Sequence, residues 1–167
     1  MQQDTSNVRH MGAAFNNADA FNQPIGIWDT SSLENLAFAF AFNSGFNQGK
    51  HSPKSDGMPN RYLLTHVYHA IDISLWDVSS VTTMNAAFRG ASSFNHDLSL
   101  WDISSVNTME NMFFQAAQFN QNLCLWGPDF RSETVNVTSM FASTSCPETG
   151  DPDLTAAARG PLCAVCT

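Results

Sequence analysis

The sequence predicts an α/β solenoid built from tandem units of about 25 residues, each with one strand and one short helix. Trp76, Trp101 and Trp126 recur at this interval, and an earlier copy of the same text surrounds Trp28. A second column, of methionine and phenylalanine, recurs in phase with the tryptophans. A unit this short cannot bury its own apolar face, so the core has to form between stacked neighbours.

The residues on both sides of each tryptophan recur. The segments read IGIWDTSSL from Ile25, ISLWDVSSV from Ile73 and LSLWDISSV from Leu98. Four of the repeats also carry a Met-x-x-x-Phe pattern, with Leu in place of Met once, and Phe-Asn follows six residues after the Phe. These positions are Met11 and Phe15, Leu36 and Phe40, Met84 and Phe88, Met109 and Phe113, followed by Phe21, Phe46, Phe94 and Phe119.

The matches define the domain organisation. The five units lie at about 3–27, 28–75, 76–100, 101–125 and 126–146. Because Trp28 and Trp76 are separated by almost two repeat intervals, the second unit holds an insertion nearly as long as one unit, near 49–72. We take 1–146 as the repeat domain and 147–167 as a cysteine-containing cap. The chain begins in mid-repeat and lacks a signal-peptide pattern, so we expect further repeats before it in a longer secreted polypeptide.

One unit can be interpreted residue by residue. Leu98–Trp101 has strand-like composition, and Ser105–Phe114 suits a short helix. Val106, Met109 and Phe113 would then share one helix face. The strands of successive units would stack about 4.8 Å apart as a parallel sheet, with the helices on its other side.

Composition argues against two classes of partner. Charged residues make up 13% of the chain, the net charge is -8, and 7 residues are basic. Nucleic-acid binding needs a basic stripe, which this balance does not provide. No run of 18 apolar residues exists, so we expect no membrane-spanning segment.

The repeat text resembles a known family. The pattern Phe-Asn-x-x-[Ile/Leu]-Ser-x-Trp-Asp-x-Ser-x-Val-x-x-Met-x-x-x-Phe-x-x-Ala is similar to the BspA-type leucine-rich repeats, which occur as tandem surface-protein repeats in bacteria, mycoplasma lipoproteins and microalgae. The match covers about residues 4–146 apart from the insertion, and the ending resembles the cysteine-rich cap of the algal members. The resemblance implies a right-handed leucine-rich-repeat-like solenoid displayed outside the cell. It implies no single activity, because the roles of the family are mostly unassigned.

Three columns of side chains are candidate binding ladders. They are the tryptophans Trp28, Trp76, Trp101 and Trp126, the asparagines Asn22, Asn47, Asn95 and Asn120, and the aspartates Asp29, Asp77 and Asp102. We expect the tryptophans to pack in the core rather than to bind sugars. We expect the asparagines to bond the turn backbone of their own and the next unit. The aspartates could recruit Ca²⁺, but capping of the Ser/Thr-rich turn that follows is the preferred interpretation.

Four cysteines lie near the end of the chain, at Cys124, Cys146, Cys163 and Cys166. A redox pair, a zinc site and disulfides are the alternatives. Disulfides are preferred, because an open repeat end needs a cap and secreted chains use cystine for it. Of the three possible pairings, we favour Cys124–Cys146 with Cys163–Cys166, or Cys124–Cys163 with Cys146–Cys166. Asn136 begins an N-glycosylation pattern.

The insertion differs in composition from the repeats. It holds both lysines, both tyrosines and three of the five histidines. We expect a loop over 49–58, followed by a helix over about 59–71. His66 and His69 could hold a metal, but no third ligand is near, so a helix packed on the repeat flank is preferred. Tyr62, His66 and His69 are candidate interface residues, because a long insertion is a common place for function.

One position departs from the common repeat. The residue before each tryptophan, often polar or glycine in relatives, is aliphatic here, at Ile27, Leu75, Leu100 and Leu125. Along a strand, these side chains would point the same way as Ile25, Ile73, Leu98 and Leu123, with the tryptophans opposite. Soluble monomers seldom expose a contiguous apolar patch beyond a few hundred Å². If the column is exposed in the single chain, we therefore predict that it contacts a neighbouring subunit or another segment.

No catalytic set is present, since the sequence lacks Gly-x-Ser-x-Gly, a P-loop and His-Glu-x-x-His. We therefore predict a non-enzymatic domain, without cofactor or metal, that contacts proteins or glycans at the cell surface or outside the cell. The alternative is a structural subunit of an extracellular filament or coat that assembles by stacking.

Overall fold

The computed structural model describes residues 4–47, 72–130, 134–156 and 160–166. Within these ranges the regular helices are two 3₁₀ segments, Ile73–Leu75 and Cys124–Asp129. Strand pairing there is limited to isolated one-residue parallel bridges, which join His10, Asn35, Thr83, Thr108 and Asn136 in succession. No helix in this part of the chain has the length and apolar character needed to cross a membrane.

The predicted leucine-rich-repeat-like solenoid, with a parallel sheet and short helices, is wrong. The described ranges contain no sheet and no α-helix. The expected strand Leu98–Trp101 is a turn, closed by the Trp101 amide donating to the Leu98 carbonyl at 3.0 Å. The expected helix Ser105–Phe114 is replaced by successive turns, such as the one in which the Met112 amide donates to the Met109 carbonyl.

Each unit is hydrogen-bonded to the next through every second amide. In the fourth unit the amides of Asn111, Phe113 and Gln115 donate to the carbonyls of Thr138, Met140 and Ala142, at 2.9 to 3.0 Å. The amides between them bond inside the unit, to the carbonyl three residues before. An α-helix needs every amide for its own i−4 bonds, so it cannot form where half of the amides serve the neighbouring unit.

Left-handed backbone conformation sets this alternation. Each unit has two residues with positive φ, four positions apart: Ala13 and Asn17, Phe38 and Phe42, Ala86 and Gly90, Asn111 and Gln115, Ser139 and Ser143. Their φ angles lie between 52° and 66°. A left-handed residue every fourth position interrupts any helix and turns alternate amides toward the next unit.

Two stacks of phenylalanine rings fill the centre of the molecule. The first contains Phe15, Phe40, Phe88, Phe113 and Phe141, with 5.2 to 5.8 Å between successive ring centroids. The second contains Phe21, Phe46, Phe94 and Phe119, with 6.0 to 6.2 Å between them. Within a unit, the two rings lie 4.0 to 4.3 Å apart. Each ring is therefore in contact both inside its unit and across the junctions, which makes the core continuous.

The C-terminal segment contacts the fourth unit at Leu123 and Cys124 and the end of the fifth unit at Cys146. Leu154 and Leu162 are buried, and the Leu123 amide donates to the Leu162 carbonyl at 3.1 Å. Phe141, the last ring of the first stack, is fully buried. Phe15, the first ring of the same stack, is only partly buried. The two ends of the ring stack therefore differ, with the C-terminal end the more covered.

Candidate contact surface

A tight turn before each tryptophan decides which side chains face the core. The i→i+3 bond between Leu98 and Trp101 places these two residues on the same side of the turn. Both are buried, and Leu100 between them points to solvent. The expectation that Leu98 and Leu100 share a face is therefore wrong, because the segment is not an extended strand.

The same turn recurs in the other units. The amides of Trp28, Trp76 and Trp126 donate to the carbonyls of Ile25, Ile73 and Leu123 at 2.9 to 3.1 Å. The turn is capped at its start in three units: the Oδ1 atoms of Asp72, Asp97 and Asn122 accept from the amides of Ser74, Ser99 and Cys124 at 2.9 Å. Capping by Asp or Asn at the first position stabilises the turn and explains these residues without a ligand.

Three of the tryptophans bond their own turn to the equivalent turn one repeat earlier. The Nε1 atoms of Trp76, Trp101 and Trp126 donate to the carbonyls of Ile25, Ile73 and Leu98 at 2.9 to 3.0 Å. These three rings are at most 4% exposed, and Trp28 is partly buried and stacks on Trp76. Buried rings cannot act as a platform for sugars, so the column belongs to the core.

The aliphatic residues before the tryptophans are exposed. Ile27 is 50% exposed, Leu75 52%, Leu100 76% and Leu125 63%. We call these four side chains the aliphatic ridge. The core beneath is filled by the tryptophans and by the buried Ile25, Ile73, Leu98 and Leu123. The ridge is therefore a column of large apolar side chains that the core does not need.

Two grooves flank the ridge at Leu100, and carboxylates line both. The first, of about 380 Å³, is lined by Leu100 together with Asp72 and Asp97. The second, of about 480 Å³, is lined by Leu100 together with Asp102 and Asp129. Leu100 thus lines both grooves, and the described lining of each groove includes two carboxylates.

The aspartate column caps turns. Asp29 and Asp77 each accept from the amide and the hydroxyl of the serine two residues later, and Asp102 accepts from the amide of Ser104. The Ser31 hydroxyl and amide hold the pKa of Asp29 below its ordinary value. In the described ranges no three His, Cys, Asp or Glu side chains come together as a metal site. These aspartates therefore have a local structural role.

The asparagine column links units at two junctions. Asn22 Oδ1 accepts from the Asn47 amide at 3.1 Å, and Asn95 Oδ1 accepts from the Asn120 amide at 3.0 Å. The side chain of Gln121 also donates to Asn95 Oδ1, at 2.7 Å. These contacts are between units, which leaves the asparagines no evident part in binding a ligand.

All four cysteines are in disulfides. The pairs are Cys124–Cys166 and Cys146–Cys163. The oxidised state is confirmed, but this is the third possible pairing, and both pairings favoured from the sequence are wrong. The packing of the segment decides the pairs: Leu162 lies on the fourth unit and brings Cys166 next to Cys124.

Asn136 belongs to the ladder of bridges. Its side chain is exposed, accepts from the Thr138 amide at 3.1 Å and donates from Nδ2 to Glu110 at 3.1 Å. The residues of the sequon thus also form a side-chain-capped turn. Glycosylation of Asn136 stays a prediction.

The insertion residues predicted as an interface, Tyr62, His66 and His69, lie outside the described residues, as do the predicted loop and helix. The predicted boundary at Asp72 changes, because Asp72 caps the turn that ends at Trp76 as Asp97 caps the turn that ends at Trp101. Asp72 is therefore part of the repeat.

Sequence reasoning missed a second surface feature. Phe38 and Phe42 are 37% and 40% exposed, and both have positive φ. The Arg89 guanidinium lies 5.6 Å from the Phe42 ring centroid and 5.1 Å from that of Phe114. The interruption of the Ala column by Asn43 was also missed, although its position relative to Phe40 could have revealed it.

Comparison with known proteins gives one family. A family model described as "Mycoplasma protein of unknown function, DUF285" matches residues 1–54 and 61–149. The chain belongs to the DUF285 family. No curated protein and no solved structure matches it.

The DUF285 match includes every residue of the aliphatic ridge and the turns that expose it. The unmatched residues 55–60 fall inside the predicted insertion, and Cys163 and Cys166 lie beyond the match. The description of the DUF285 family assigns no function, so the role of this chain has to be argued from its surface.

Proposed function

We propose that this protein is a non-enzymatic extracellular contact domain that binds another protein through the aliphatic ridge. The observation that carries the proposal is the exposure of all four ridge side chains, between 50% and 76%, in the single chain. Contact with a partner would remove this apolar surface from water, which stabilises a complex by about 25 cal/mol per Å².

The ridge has no evident structural reason to be apolar. The turn that exposes it is closed by backbone atoms and capped by Asp or Asn, so it makes no use of the ridge side chain. A polar residue would serve the turn equally well and would be better solvated. Four aliphatic residues recur at one exposed position of successive units rather than being scattered singly, and this recurrence favours a binding surface.

An extracellular location is supported by two features of the chain. It has two disulfides, which persist in oxidising compartments and are rare in the cytosol. Its repeats also resemble the BspA-type surface repeats, and it belongs to the DUF285 family. Both features fit display at the cell surface or beyond it.

Protein is a better partner for this surface than glycan. Sugar rings are commonly bound by exposed aromatic faces, but Trp76, Trp101 and Trp126 are buried. The alternative of a filament that grows by end-to-end stacking is disfavoured, because Phe141, the last ring of the first stack, is fully buried in the single chain.

Selection from a random peptide library displayed on phage tests the proposal. The protein, with its disulfides intact, is the target, and the double variant Leu75→Ser with Leu100→Ser is compared with the matched control Val165→Ser. Val165 is 70% exposed and lies outside the ridge. We expect most selected peptides to lose binding to the double variant and to keep binding to the control. Peptides that bind the double variant as well as the wild type would contradict the proposal.

A further inference from the structure

We infer that the partner of the aliphatic ridge is an amphipathic α-helix that lies along the stack of units, with one apolar side chain per helical turn against each ridge residue. This inference rests on the proposed function and adds the conformation of the partner to it. It is drawn from the spacing at which the units, and with them the ridge residues, repeat.

The ridge follows the spacing of the stack. Each ridge residue directly precedes a tryptophan, in a turn that the tryptophan amide closes. The Nε1 atoms of Trp76, Trp101 and Trp126 bond these turns to the equivalent turns one repeat earlier at 2.9 to 3.0 Å. Because the same bond recurs at three junctions, ridge residues of successive units are separated by one step of the stack.

One step of the stack is close to one turn of an α-helix. Successive rings of the first phenylalanine stack lie 5.2 to 5.8 Å apart, and those of the second 6.0 to 6.2 Å. The junction that carries the insertion keeps this spacing, with 5.5 Å between the rings of Phe40 and Phe88. An α-helix rises about 5.4 Å per turn. Apolar side chains at i, i+4, i+7 and i+11 would therefore meet the four ridge residues in turn.

An extended segment fits the ridge less well. Side chains on one face of a strand recur about every 6.6–6.8 Å, and those of a polyproline II helix about every 9 Å. Over the three steps from Ile27 to Leu125, a strand would run ahead of the ridge by roughly 2–4 Å, whereas an α-helix would stay within about 2 Å. The α-helix is therefore the conformation that keeps contact along the whole ridge.

The small size of the ridge favours a single helix over a second folded domain. A stable interface between two folded proteins takes about 20–30 residues from each side, but the ridge has four side chains, exposed between 50% and 76%. A second copy of this chain is further disfavoured, because each copy carries a net charge of -8. An amphipathic helix needs only one apolar face, and a narrow apolar surface is enough to bind it.

Two peptide libraries of the same composition test this inference. Both contain peptides of about 18 residues, which as a helix exceed the length of the ridge. Apolar positions recur every three or four residues in the first library and alternate in the second. Peptides selected on the wild-type protein are counter-selected on the Leu75→Ser, Leu100→Ser variant, with Val165→Ser as the control. We expect the ridge-dependent peptides to come from the first library.

The conformation of a bound peptide is measured directly. One ridge-dependent peptide is synthesised with a fluorescent label, and circular dichroism should show helix gained when it binds. Replacement of a solvent-facing residue in the middle of the peptide by Pro should weaken binding by roughly 100-fold, because Pro disrupts a helix interior. The matched replacement by Ala should change Kd by less than about twofold.

Single substitutions along the ridge test the direction of the helix. The variants are Ile27→Ser, Leu75→Ser, Leu100→Ser and Leu125→Ser. Each should weaken Kd by about 3- to 30-fold, because a helix along the stack contacts every ridge residue, and Val165→Ser should change it by less than about twofold. Urea midpoints should stay at the wild-type value, because all five side chains are exposed. A loss confined to one or two neighbouring ridge residues would overturn the inferred direction.

The outcomes separate the two proposals. Ridge-dependent peptides that come from the alternating library, or that bind without gaining helix, would overturn the helical partner and leave the contact surface standing. A wild-type dimer in sedimentation that the ridge variants lose would identify a second copy as the partner and would also overturn the helix. If no peptide from either library depends on the ridge, the contact surface itself fails and the inference fails with it.

Discussion

At the scale of single residues, left-handed backbone conformation carries a cost that the stack of units has to offset. Apart from Gly90, the left-handed positions of the repeats are occupied by residues other than glycine. Each costs about 1–2 kcal/mol relative to an ordinary conformation. Phe38 and Phe42 are the extreme case, because bulky side chains rarely adopt positive φ. Hydrogen bonds across the junctions hold these residues in place.

Gly90 tests this cost directly. Gly90→Ala is expected to lower the free energy of unfolding by about 1–3 kcal/mol. With φ at 66°, a Cβ at this position would lie 2.6 Å from Cδ1 of Phe42. The matched change Gln115→Gly, one unit later, relieves the same conformation and should be neutral or stabilise by up to about 1 kcal/mol. Urea unfolding curves measure both, and equal effects of the two variants would contradict the argument.

Asn43 is a polar residue at a position where three other units have alanine. Its side chain is fully buried, and neither amide atom has a hydrogen-bond partner among the described residues. Ala18, Ala91 and Ala116 occupy the equivalent position. We expect Asn43→Ala to raise the free energy of unfolding by about 1–3 kcal/mol, the cost of an unsatisfied buried group.

The control for this change is Asn95→Ala, which removes an inter-unit bond to the Asn120 amide and should destabilise by about 0.5–1.5 kcal/mol. Thermal unfolding of both variants measures whether Asn43→Ala raises stability while Asn95→Ala lowers it. A loss of stability in Asn43→Ala would contradict the prediction.

At the scale of the element, the repeat is a set of turns that exchange hydrogen bonds with their neighbours. In each unit, one turn points the Phe ring into the core, and the turn before the tryptophan points the ridge side chain to solvent. Inward and outward positions follow from the i→i+3 bonds, since residues three apart share a side. Core and contact surface are thus built by neighbouring parts of one unit and can be changed separately.

Phe113→Ala and Leu100→Ala should separate these roles. Phe113 is fully buried between the rings of Phe88 and Phe141, so its truncation is expected to cost about 3–5 kcal/mol. Leu100 is 76% exposed, so its truncation should change stability by less than about 0.5 kcal/mol. Chemical denaturation measures both. Comparable losses would mean that the ridge is part of the core.

At the scale of the whole molecule, the two disulfides tie the C-terminal segment to the repeats. Cys124–Cys166 reaches back to the fourth unit with a sequence separation of 42, and Cys146–Cys163 closes a separation of 17. In the chain-entropy account such links stabilise by restricting the unfolded chain, and longer loops gain more. The segment therefore depends on the links to keep Leu154 and Leu162 buried in the core.

Removal of either disulfide tests this dependence. Cys146→Ser with Cys163→Ser should lower the free energy of unfolding by about 3 kcal/mol, and Cys124→Ser with Cys166→Ser by about 4 kcal/mol. The urea unfolding midpoints of the two double variants show which disulfide contributes more to stability. Peptide mapping without reduction should recover Cys124 linked to Cys166, and any other pairing would contradict the structure.

Deletion of residues 49–71 tests whether the repeats fold without the insertion. The deletion returns the separation of Phe46 and Phe94 to the regular repeat interval and retains the turn cap at Asp72. Because units interact mainly with their nearest neighbours, we expect cooperative unfolding to persist. The control is Leu100→Ala, which should unfold cooperatively. If the deletion variant shows no cooperative unfolding transition while the control does, the insertion is part of the core.

Much of the organisation was determined by the sequence alone. The regular repeat interval defines the units, and the recurrence of Phe at two positions per unit marks the ring stacks. The even number of cysteines near one end indicated disulfides. These features arise because apolar residues must be buried and cysteines must pair. Both requirements leave a pattern in the spacing of the residues along the sequence.

The tertiary structure decided where backbone hydrogen bonds go, and with that the fold and the candidate site. Val106, Met109 and Phe113 have the spacing of a helix face, but successive i→i+3 turns give nearly the same spacing. Which one forms depends on whether amides such as that of Asn111 bond within the unit or to the next unit. The exposure of Leu100 beside the buried Leu98 and Trp101 has the same origin. The cysteine pairing likewise depends on where the C-terminal segment packs, because four cysteines in one sequence allow three pairings and contacts between distant segments select one.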